Sequence, residues 1–448
     1  MRRTASRQDR LLVIGAGAVG LGMADAMRQR GIPFDQIDAD HGVGGNWRHG
    51  VYQGVHIVSS KRSTAYADYP MPAHYPDFPS AEQMLRYLES YAHDRGLTDN
   101  IEFGMKVVRA APLADESWLV TFDNGEERIY KGVVVCNGHH WDKRLPAYPG
   151  RFTGTLMHAK DYKEPGQLRG KRVLVIGGGN SGCDIACESA RVGYSCDLSL
   201  RSGYWFLPKT AFGKPLADLP IWELPVFVQR LILRALVRVF IGDYRAYGLK
   251  RPDHKLFERH PAYGTDLLNY LKQGRIKPRP DITRYAGTKV HFTDGSVGEY
   301  DLIVAATGYH NSFPFLPKGL VPVENGVVQV YGGAFPDAVK NLYIIGWAQP
   351  RNGFGSLLTP AARLYAEMMA LQDEMEMPIG YVLKWRGFRV PKSNLVNPTS
   401  VRRMLRFSHF LLPLLRRRAR ILNEKEPRAP FDPSFYEFEP TEALAVNG

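Results

Sequence analysis

Two stretches of the chain place a short apolar run, a glycine loop and an amphipathic segment in the same order. The first begins with Leu11–Ile14 and keeps helical spacing until Gly31, and the second begins with Arg172–Ile176 and keeps it until Gly193. Short β-branched apolar runs are typical of buried strands, and apolar residues recurring every three to four positions are typical of helices. The pattern therefore predicts a strand, a glycine loop and a helix twice.

The glycines of both loops follow the spacing G-x-G-x-x-G. They are Gly15, Gly17 and Gly20 in the first loop and Gly177, Gly179 and Gly182 in the second, where Ser181 precedes the last glycine. In a dinucleotide-binding unit these glycines make a tight turn, admit a pyrophosphate close to the backbone, and let helix and strand pack closely. One such spacing is a weak signal, but two in the same context indicate two dinucleotide-binding modules.

The repetition extends beyond the glycine loops. Hairpin turns are predicted at Asn124-Gly125 and Asp294-Gly295, and each is followed by a buried strand that ends in glycine, thirteen residues after the turn glycine in both copies. We expect an α/β fold in which the second module is inserted in the first, with an apolar helical insert and a C-terminal extension. The expected boundaries are 1–150 with 309–372 for the first domain, 151–308 for the second, 205–265 for the insert and 373–448 for the extension.

The residue that follows the second strand of each module indicates which dinucleotide binds there. In the first module this residue is Asp38, twenty-three positions after Gly15, and its carboxylate suits the free ribose hydroxyls of FAD or NAD. In the second module Arg201 and Ser202 follow the strand, and a guanidinium beside a hydroxyl suits the 2′-phosphate of NADP. A flavin site beside an NADP site implies hydride transfer, for which the flavin carries the chemistry.

Composition and charge narrow the partners. The chain has 448 residues, is 44% hydrophobic and 23% charged, and carries a formal net charge of +13, which favours anionic partners. No nucleic-acid-binding motif accompanies this charge, so we expect no nucleic-acid partner. No metal site is expected, because the four cysteines lack the C-x-x-C spacing of zinc or redox sites. Few cysteines and no recognisable export signal predict a cytoplasmic protein.

Four further motifs complete a resemblance to the flavin-containing monooxygenases. The segment from Phe152 to Lys163 resembles the family motif F-x-G-x-x-x-H-x-x-x-[YF]-[KR], with Phe152, Gly154, His158 and Tyr162 at its marked positions. The segment Gly44-Gly45-Asn46-Trp47 resembles G-G-x-W, 179–186 resembles the NADPH loop, and 306–309 resembles A-T-G-Y. These matches extend from Leu11 to about Gly355.

The resemblance implies a mechanism and a set of cofactor contacts. NADPH would reduce FAD, the reduced flavin would capture O₂ as a C4a-hydroperoxide, and a lipophilic amine or sulfide would take the distal oxygen. By analogy, Gly15, Gly17, Gly20, Asp38, Asn46 and Trp47 would hold FAD. Gly177, Gly179, Ser181, Gly182, Arg201 and Ser202 would hold NADPH. Many members carry an Asn beside the flavin, but the corresponding segment 58–62 has none, which predicts some leakage to H₂O₂.

Three other interpretations stay open at this point. Baeyer–Villiger monooxygenases act on ketones and resemble this chain, but they carry Trp-Pro or Trp-Asp where Tyr162-Lys163 stands. A pyridine-nucleotide disulfide reductase shares both modules but needs a C-x-x-C, whereas the nearest pair here is Cys183 and Cys187. A membrane-surface or scaffold protein with vestigial dinucleotide sites would bind vesicles without flavin. The sequence does not set the subunit number, and a homodimer is compatible with it.

Two basic amphipathic segments are candidates for contact with a membrane surface. In 226–241, Arg230, Arg234 and Arg238 recur every four residues among aliphatic side chains. The segment 401–420 contains seven arginines and no acidic residue, with Phe and Leu between them and a kink expected at Pro413. Both could instead cover a substrate tunnel or a subunit contact.

Overall fold

The first of two parallel sheets lies at the centre of a module formed by both ends of the chain. The computed structural model describes residues 4–425, 429, 431–436 and 438. The parallel strands of this sheet are, in spatial order, Ile101–Phe103, Phe34–Asp38, Ala5–Ile14, Glu127–Val135 and Leu342–Ile344. Glu127–Val135 also pairs antiparallel with Trp118–Phe122, which pairs with Val107–Pro112. The turn at Asn124-Gly125 joins two of these strands, as predicted.

The N-terminal strand is longer than the apolar run predicts. It begins at Ala5, and Ala5 to Arg7 pair with the first half of the strand Glu127–Val135 before the register shifts. Arg7 and Arg10 both contact the buried carboxylate of Asp35, Arg10 at 3.1 Å. Charge pairing holds this half of the strand, so hydrophobic periodicity does not reveal it.

The second sheet repeats the arrangement of the first. Its strands are all parallel and are, in spatial order, Ile276–Arg279, Ser195–Ser199, Arg172–Ile176, Leu302–Ala305 and Thr155–His158. A three-stranded antiparallel sheet packs beside it and consists of Ile282–Ala286, Lys289–Phe292 and Val297–Glu299. The chain then returns to the first sheet at Leu342–Ile344, so the second module is inserted in the first.

The two glycine loops have nearly the same backbone geometry. Gly15 and Gly177 both have φ of +109°, in a region that favours glycine. A Cβ on Gly20 would lie 2.0 Å from the carbonyl oxygen of Gly15, and a Cβ on Gly182 would lie 2.0 Å from that of Gly177. Close helix–strand packing therefore requires glycine at both places, and the predicted pair of related dinucleotide-binding modules is confirmed.

The helices cover both sheets, and one of them lies in the insert. Those of at least seven residues are Ala18–Gln29, Ala81–Asp94, Asn180–Val192, Val226–Phe240, Asp266–Lys272, Gly355–Gln372, Ile379–Trp385 and Pro398–Lys425. Two helices of four residues are Asn46–His49 and Lys61–Thr64. Short strand pairs are Asp142–Lys143 with Tyr309–His310, Phe206–Leu207 with Ala262–Tyr263, Thr210–Ala211 with Lys214–Pro215, Val323–Glu324 with Val327–Val328, and Gln349–Pro350 with Leu395–Val396.

The C-terminal region is more regular than its loose sequence pattern suggests. The helix Pro398–Lys425 runs through Pro413 and buries Leu405, Ala419 and Leu422 against the first module. Its neighbour Gly355–Gln372 packs against the first glycine-loop helix. The end of the C-terminal extension, after Lys425, lies largely outside the described residues. None of the helices in the described part of the chain combines the length and the hydropathy that a membrane span requires.

Candidate active site

The first glycine loop connects the strand Ala5–Ile14 to the helix Ala18–Gln29. The Gly15 N–H donates to the carbonyl of Ile37 at 2.8 Å, which holds the loop against the end of the neighbouring strand. Gly17 precedes the helix, and no side chain in the described part of the chain caps its first turn. The first N–H groups of this helix can therefore serve a pyrophosphate, as the FAD assignment requires.

Asp38 lies beside this loop at the end of the strand Phe34–Asp38. Its Oδ2 accepts a hydrogen bond from the N–H of Ala16 at 2.6 Å, and its Oδ1 accepts one from the N–H of Asp40 at 2.8 Å. Burial raises the pKa of Asp38, and these two hydrogen bonds oppose the rise. A carboxylate has about four acceptor positions, so Asp38 retains the capacity to bind ribose hydroxyls.

The segment containing Asn46 and Trp47 crosses directly over the glycine loop. A Cβ on Gly45 would lie only 3.0 Å from the Cα of Gly17, so the two backbones touch. Asn46 is exposed at the start of a short helix, and Trp47 is half-buried and packs against the core of the first module. The structure thus brings the six residues predicted to hold FAD into one region; their individual contacts with FAD stay predictions.

The second glycine loop connects the strand Arg172–Ile176 to the helix Asn180–Val192. The Gly177 N–H donates to the carbonyl of Ser199 at 3.1 Å, matching the contact made by Gly15. Gly179 precedes the helix, and among the residues with coordinates no side chain caps the first turn. A Cβ on Gly179 would meet no described atom within 4 Å. This open approach and uncapped turn fit a second pyrophosphate.

The ribose end of the second module is more basic than the sequence predicts. Arg201 is exposed just beyond the strand Ser195–Ser199, next to the half-buried Ser202. The Ser202 Oγ accepts a hydrogen bond from Nη1 of Arg259, at 3.1 Å. The 2′-phosphate assignment therefore stays a prediction, and Arg259 adds a second guanidinium to the Arg201 and Ser202 on which it rests. Sequence reasoning missed Arg259, because it is 57 residues from Ser202 and belongs to the insert.

His158 of the family motif has both ring nitrogens occupied by backbone groups. Its Nε2 donates to the carbonyl of Gly308 at 2.9 Å, and its Nδ1 accepts from the N–H of Lys160 at 3.1 Å. The side chain is buried, and burial lowers its pKa, so the ring is neutral near pH 7. These contacts indicate a positioning role, in which His158 fixes the connection between the two modules.

The other residues of the motif also pack rather than face a reaction centre. The Phe152 ring lies 5.9 Å from that of Tyr285, and a Cβ on Gly154 would overlap the Phe152 ring at 2.7 Å. Tyr162 is buried with its ring 5.5 Å from that of Tyr52. The Nζ of the adjacent Lys163 donates to the carbonyl of His49 at 2.7 Å. The motif thereby ties the link between the modules to the segment that follows Trp47.

Two tyrosines connect the modules through hydrogen bonds that sequence reasoning missed. The Tyr52 hydroxyl donates to Oδ2 of Asp184 at 2.9 Å, which links the first module to the second glycine-loop helix. The Tyr263 N–H donates to Oδ1 of Asn180 at 2.8 Å, and its hydroxyl donates to the carbonyl of Arg351 at 2.9 Å. The motif Gly179–Ala186 contained Asn180 and Asp184, but only the fold identifies their partners.

A group of histidines lies where the two modules meet. The rings of His139 and His140 are 4.1 Å apart, and the His140 ring is 5.2 Å from that of Tyr309. Part of His140 is exposed, but the surrounding protein desolvates its ring and lowers its pKa well below the usual value. Burial also lowers the pKa of His139 and of His260. All three rings are therefore uncharged near pH 7.

Comparison with known proteins agrees with this geometry. The sequence matches the family described as flavin-binding monooxygenase-like over residues 8–370. The chain belongs to this family. It is 33% identical to flavin-containing monooxygenase 5 of Oryctolagus cuniculus over 81% of this chain and 73% of that protein. It is 32% identical to dimethylaniline monooxygenase [N-oxide-forming] 2 of Macaca mulatta, over 80% of this chain and 72% of that protein.

A more distant relative shares the fold alone. The structure of cyclohexanone monooxygenase from Rhodococcus sp. Phi1 bound to NADP⁺ matches with a TM-score of 0.65 and 18% identity, over 84% of this chain and 86% of that one. Family membership makes the chain an FAD- and NADPH-dependent monooxygenase, so the predicted cofactors and enzyme class are confirmed.

Proposed function

We propose that the chain transfers hydride from NADPH in the second module to FAD in the first, and then oxygenates a lipophilic amine or sulfide. When bound, FAD supplies the two-electron redox chemistry and the activation of O₂. The observation that carries the proposal is the pair of matching glycine loops whose ribose ends have opposite charge, Asp38 in one and Arg201 with Arg259 in the other.

The protein's own residues bind, orient and exclude water. The two uncapped helix N-termini bind pyrophosphates, and Asp38 accepts hydrogen bonds from ribose hydroxyls. His158 and the two bridging tyrosines fix the modules relative to each other. The neutral histidines where the modules meet carry no readily lost proton at pH 7, which suits a reaction that stray protons and water would divert.

Oxygenation of a thioether tests the proposed substrate class directly. The purified chain with FAD and NADPH is expected to convert methyl p-tolyl sulfide to its sulfoxide. Because segment 58–62 lacks the family Asn, we expect more NADPH to be consumed than sulfoxide to be formed. Product analysis and H₂O₂ measurement give the coupling. Rapid ester formation from cyclohexanone without sulfoxide would instead assign Baeyer–Villiger activity.

We further propose that the chain binds an anionic membrane surface from the cytoplasmic side, as a peripheral protein. Along the helix Pro398–Lys425, four exposed side chains at spacings of three and four form one stripe: Met404, Phe407, Leu411 and Leu414. Exposed arginines flank the stripe, and no acidic residue lies between 398 and 423. Phe410 of the same helix is 80% exposed, and Phe227, on the insert helix Val226–Phe240, is 67% exposed.

Contacts join the start of the C-terminal helix to the turn that precedes the insert helix. Thr399 at the start of the C-terminal helix donates to the carbonyl of Trp222, and Arg402 pairs with Glu223, just before the insert helix begins. Apolar side chains surrounded by arginines match the acyl chains and headgroups of an anionic lipid surface. Charge complementarity therefore favours anionic lipid over a neutral apolar partner.

Vesicle binding tests the membrane proposal. Replacing Phe407 and Phe410 together with serine is expected to weaken binding to phosphatidylserine vesicles by at least about tenfold, because each buried Phe contributes roughly 1.5–3 kcal/mol. Phe435→Ser is the matched control, since Phe435 is 80% exposed like Phe410 but lies outside both helices. Equal co-sedimentation of all three proteins, or equal binding to neutral vesicles, would refute a role for this surface.

A further inference from the structure

Arg351 lies where the first module, the insert and the second glycine loop come together. It follows the short strand Gln349–Pro350, and its N–H donates to the carbonyl of Val396 at 3.3 Å. Its own carbonyl accepts from Tyr263, whose N–H donates to Asn180 at the start of the second glycine-loop helix. The preceding Gln349 places its Nε2 3.5 Å from Nε2 of His140. Arg351 is thus linked through these contacts to both cofactor modules.

The guanidinium of Arg351 has no counterion among the described residues. Its Nε and Nη1 are buried and make no hydrogen bond to any described atom. One face lies over the ring of Phe257, with 4.4 Å between Cζ and the ring centroid. Burying a charged group without a partner is costly, so buried charges in proteins are normally paired, and an unpaired one calls for a partner from outside the chain.

The surroundings of Arg351 add positive charge instead of neutralising it. Within the described part of the chain, no carboxylate lies within 4.0 Å of its nitrogens. Arg230, from the insert helix, is close enough to act on it, and donates through Nε to the carbonyl of Leu256 at 2.9 Å. Burial, with the charge of Arg230 second, lowers the pKa of Arg351 to about 10, which leaves it a cation at neutral pH.

We propose that Arg351, supported by Arg230, is an anion-binding site that selects oxygenation substrates carrying a carboxylate. The inference rests on the proposed monooxygenase function and narrows its substrate class to acids with an apolar, oxidisable end. Charge-assisted hydrogen bonds from Nε and Nη1 would hold the carboxylate, and the Phe257 ring and the neighbouring Trp222 provide the apolar wall. Besides a substrate carboxylate, a phosphate of NADPH is the other group that would bring an anionic oxygen to this place near Asn180.

Two thioethers that differ in one para substituent, a carboxylate or a methyl group, distinguish these sources. The probes are 4-(methylthio)benzoate and methyl p-tolyl sulfide, tested on the FAD-loaded enzyme with NADP⁺ bound. Calorimetry is expected to show at least tenfold tighter binding of the acid, and Arg351→Gln is expected to remove that preference. Arg351→Lys, which keeps the charge but not the planar geometry, should restore part of it. Across these variants, the ratio of kcat/KM for the acid to kcat/KM for the neutral sulfide should follow the ratio of their binding affinities.

Each contrary result has a distinct meaning. An acid preference absent from the native enzyme, or equal in native and Arg351→Gln proteins, overturns the substrate site. A rise in KM for NADPH in Arg351→Gln with the acid preference intact assigns the arginine to a cofactor phosphate and also overturns it. If the acid binds in an Arg351-dependent way but neither thioether is oxygenated, the anion site stands and the proposed oxygenation fails. Ionic-strength dependence of acid binding to the native enzyme checks the site without any variant.

Discussion

Replacing Gly182 with alanine is expected to leave FAD bound while slowing flavin reduction by NADPH about 100-fold. The added Cβ would lie 2.0 Å from the carbonyl oxygen of Gly177 and 3.2 Å from the Cβ of Ala306. Neither neighbour can yield without moving the start of the helix Asn180–Val192, whose first N–H groups are assigned to the pyrophosphate of NADPH. A displacement of about 1 Å in such a site costs roughly 10²-fold in rate.

The corresponding substitution in the first glycine loop, Gly20→Ala, provides the control. In Gly20→Ala the added Cβ would lie 2.0 Å from the carbonyl oxygen of Gly15, so this protein is expected to lose FAD itself. Flavin absorbance per protein, reduction by dithionite and reduction by NADPH separate the two patterns. If Gly182→Ala lost FAD while Gly20→Ala kept it, the assignment of the modules would be reversed.

Reversing the charge at the ribose end of the second module is expected to exchange NADPH preference for NADH preference. In Arg201→Glu, the loss of a charge-assisted hydrogen bond and the added repulsion should raise KM for NADPH about 100-fold, since such bonds contribute roughly 1.5–3 kcal/mol. NADH lacks the 2′-phosphate, so its KM should change little.

Arg259→Ala should raise KM for NADPH about tenfold through the loss of its contact at Ser202.

An exposed arginine elsewhere in the same module makes a matched control. Arg284 lies in the antiparallel strand Ile282–Ala286 and is exposed, so Arg284→Glu makes the same charge change away from the glycine loop. Steady-state kinetics with both nucleotides compare the three variants. Equal rises in KM for NADPH in Arg201→Glu and Arg284→Glu would show that only the overall charge matters, and the site assignment would be wrong.

The sequence predicted those parts of the fold that depend on local geometry. At Gly20 and Gly182 any side chain would collide with a carbonyl oxygen of the same loop, so glycine is required there. The resulting glycine spacing is visible in the sequence. The insert helix was predicted at 226–241 and is observed at Val226–Phe240, because one buried face recurs every four residues. The position of Asp38 beside the first loop was also predicted correctly, because Asp38 ends the strand that follows the first helix and this strand pairs next to the loop.

Contacts between distant segments could not be predicted. Arg259 reaches Ser202 across 57 residues, and Tyr263 joins Asn180 to Arg351 across 83 and 88 residues. His158 has the residue type of an acid or base, but the backbone groups that occupy both its nitrogens are visible only in the fold. The packing of Leu405 and Leu422 in the core of the first module could not be predicted either, because the sequence of their helix resembles that of a basic surface segment.

Anaerobic mixing of the FAD-loaded protein with NADPH tests the central claim most directly. If the two modules hold the flavin and the nicotinamide as assigned, the flavin absorbance near 450 nm bleaches in the native protein and bleaches about 100-fold more slowly in Gly182→Ala. A native protein whose bound FAD is reduced by dithionite, yet is left oxidised by excess NADPH, would contradict the account.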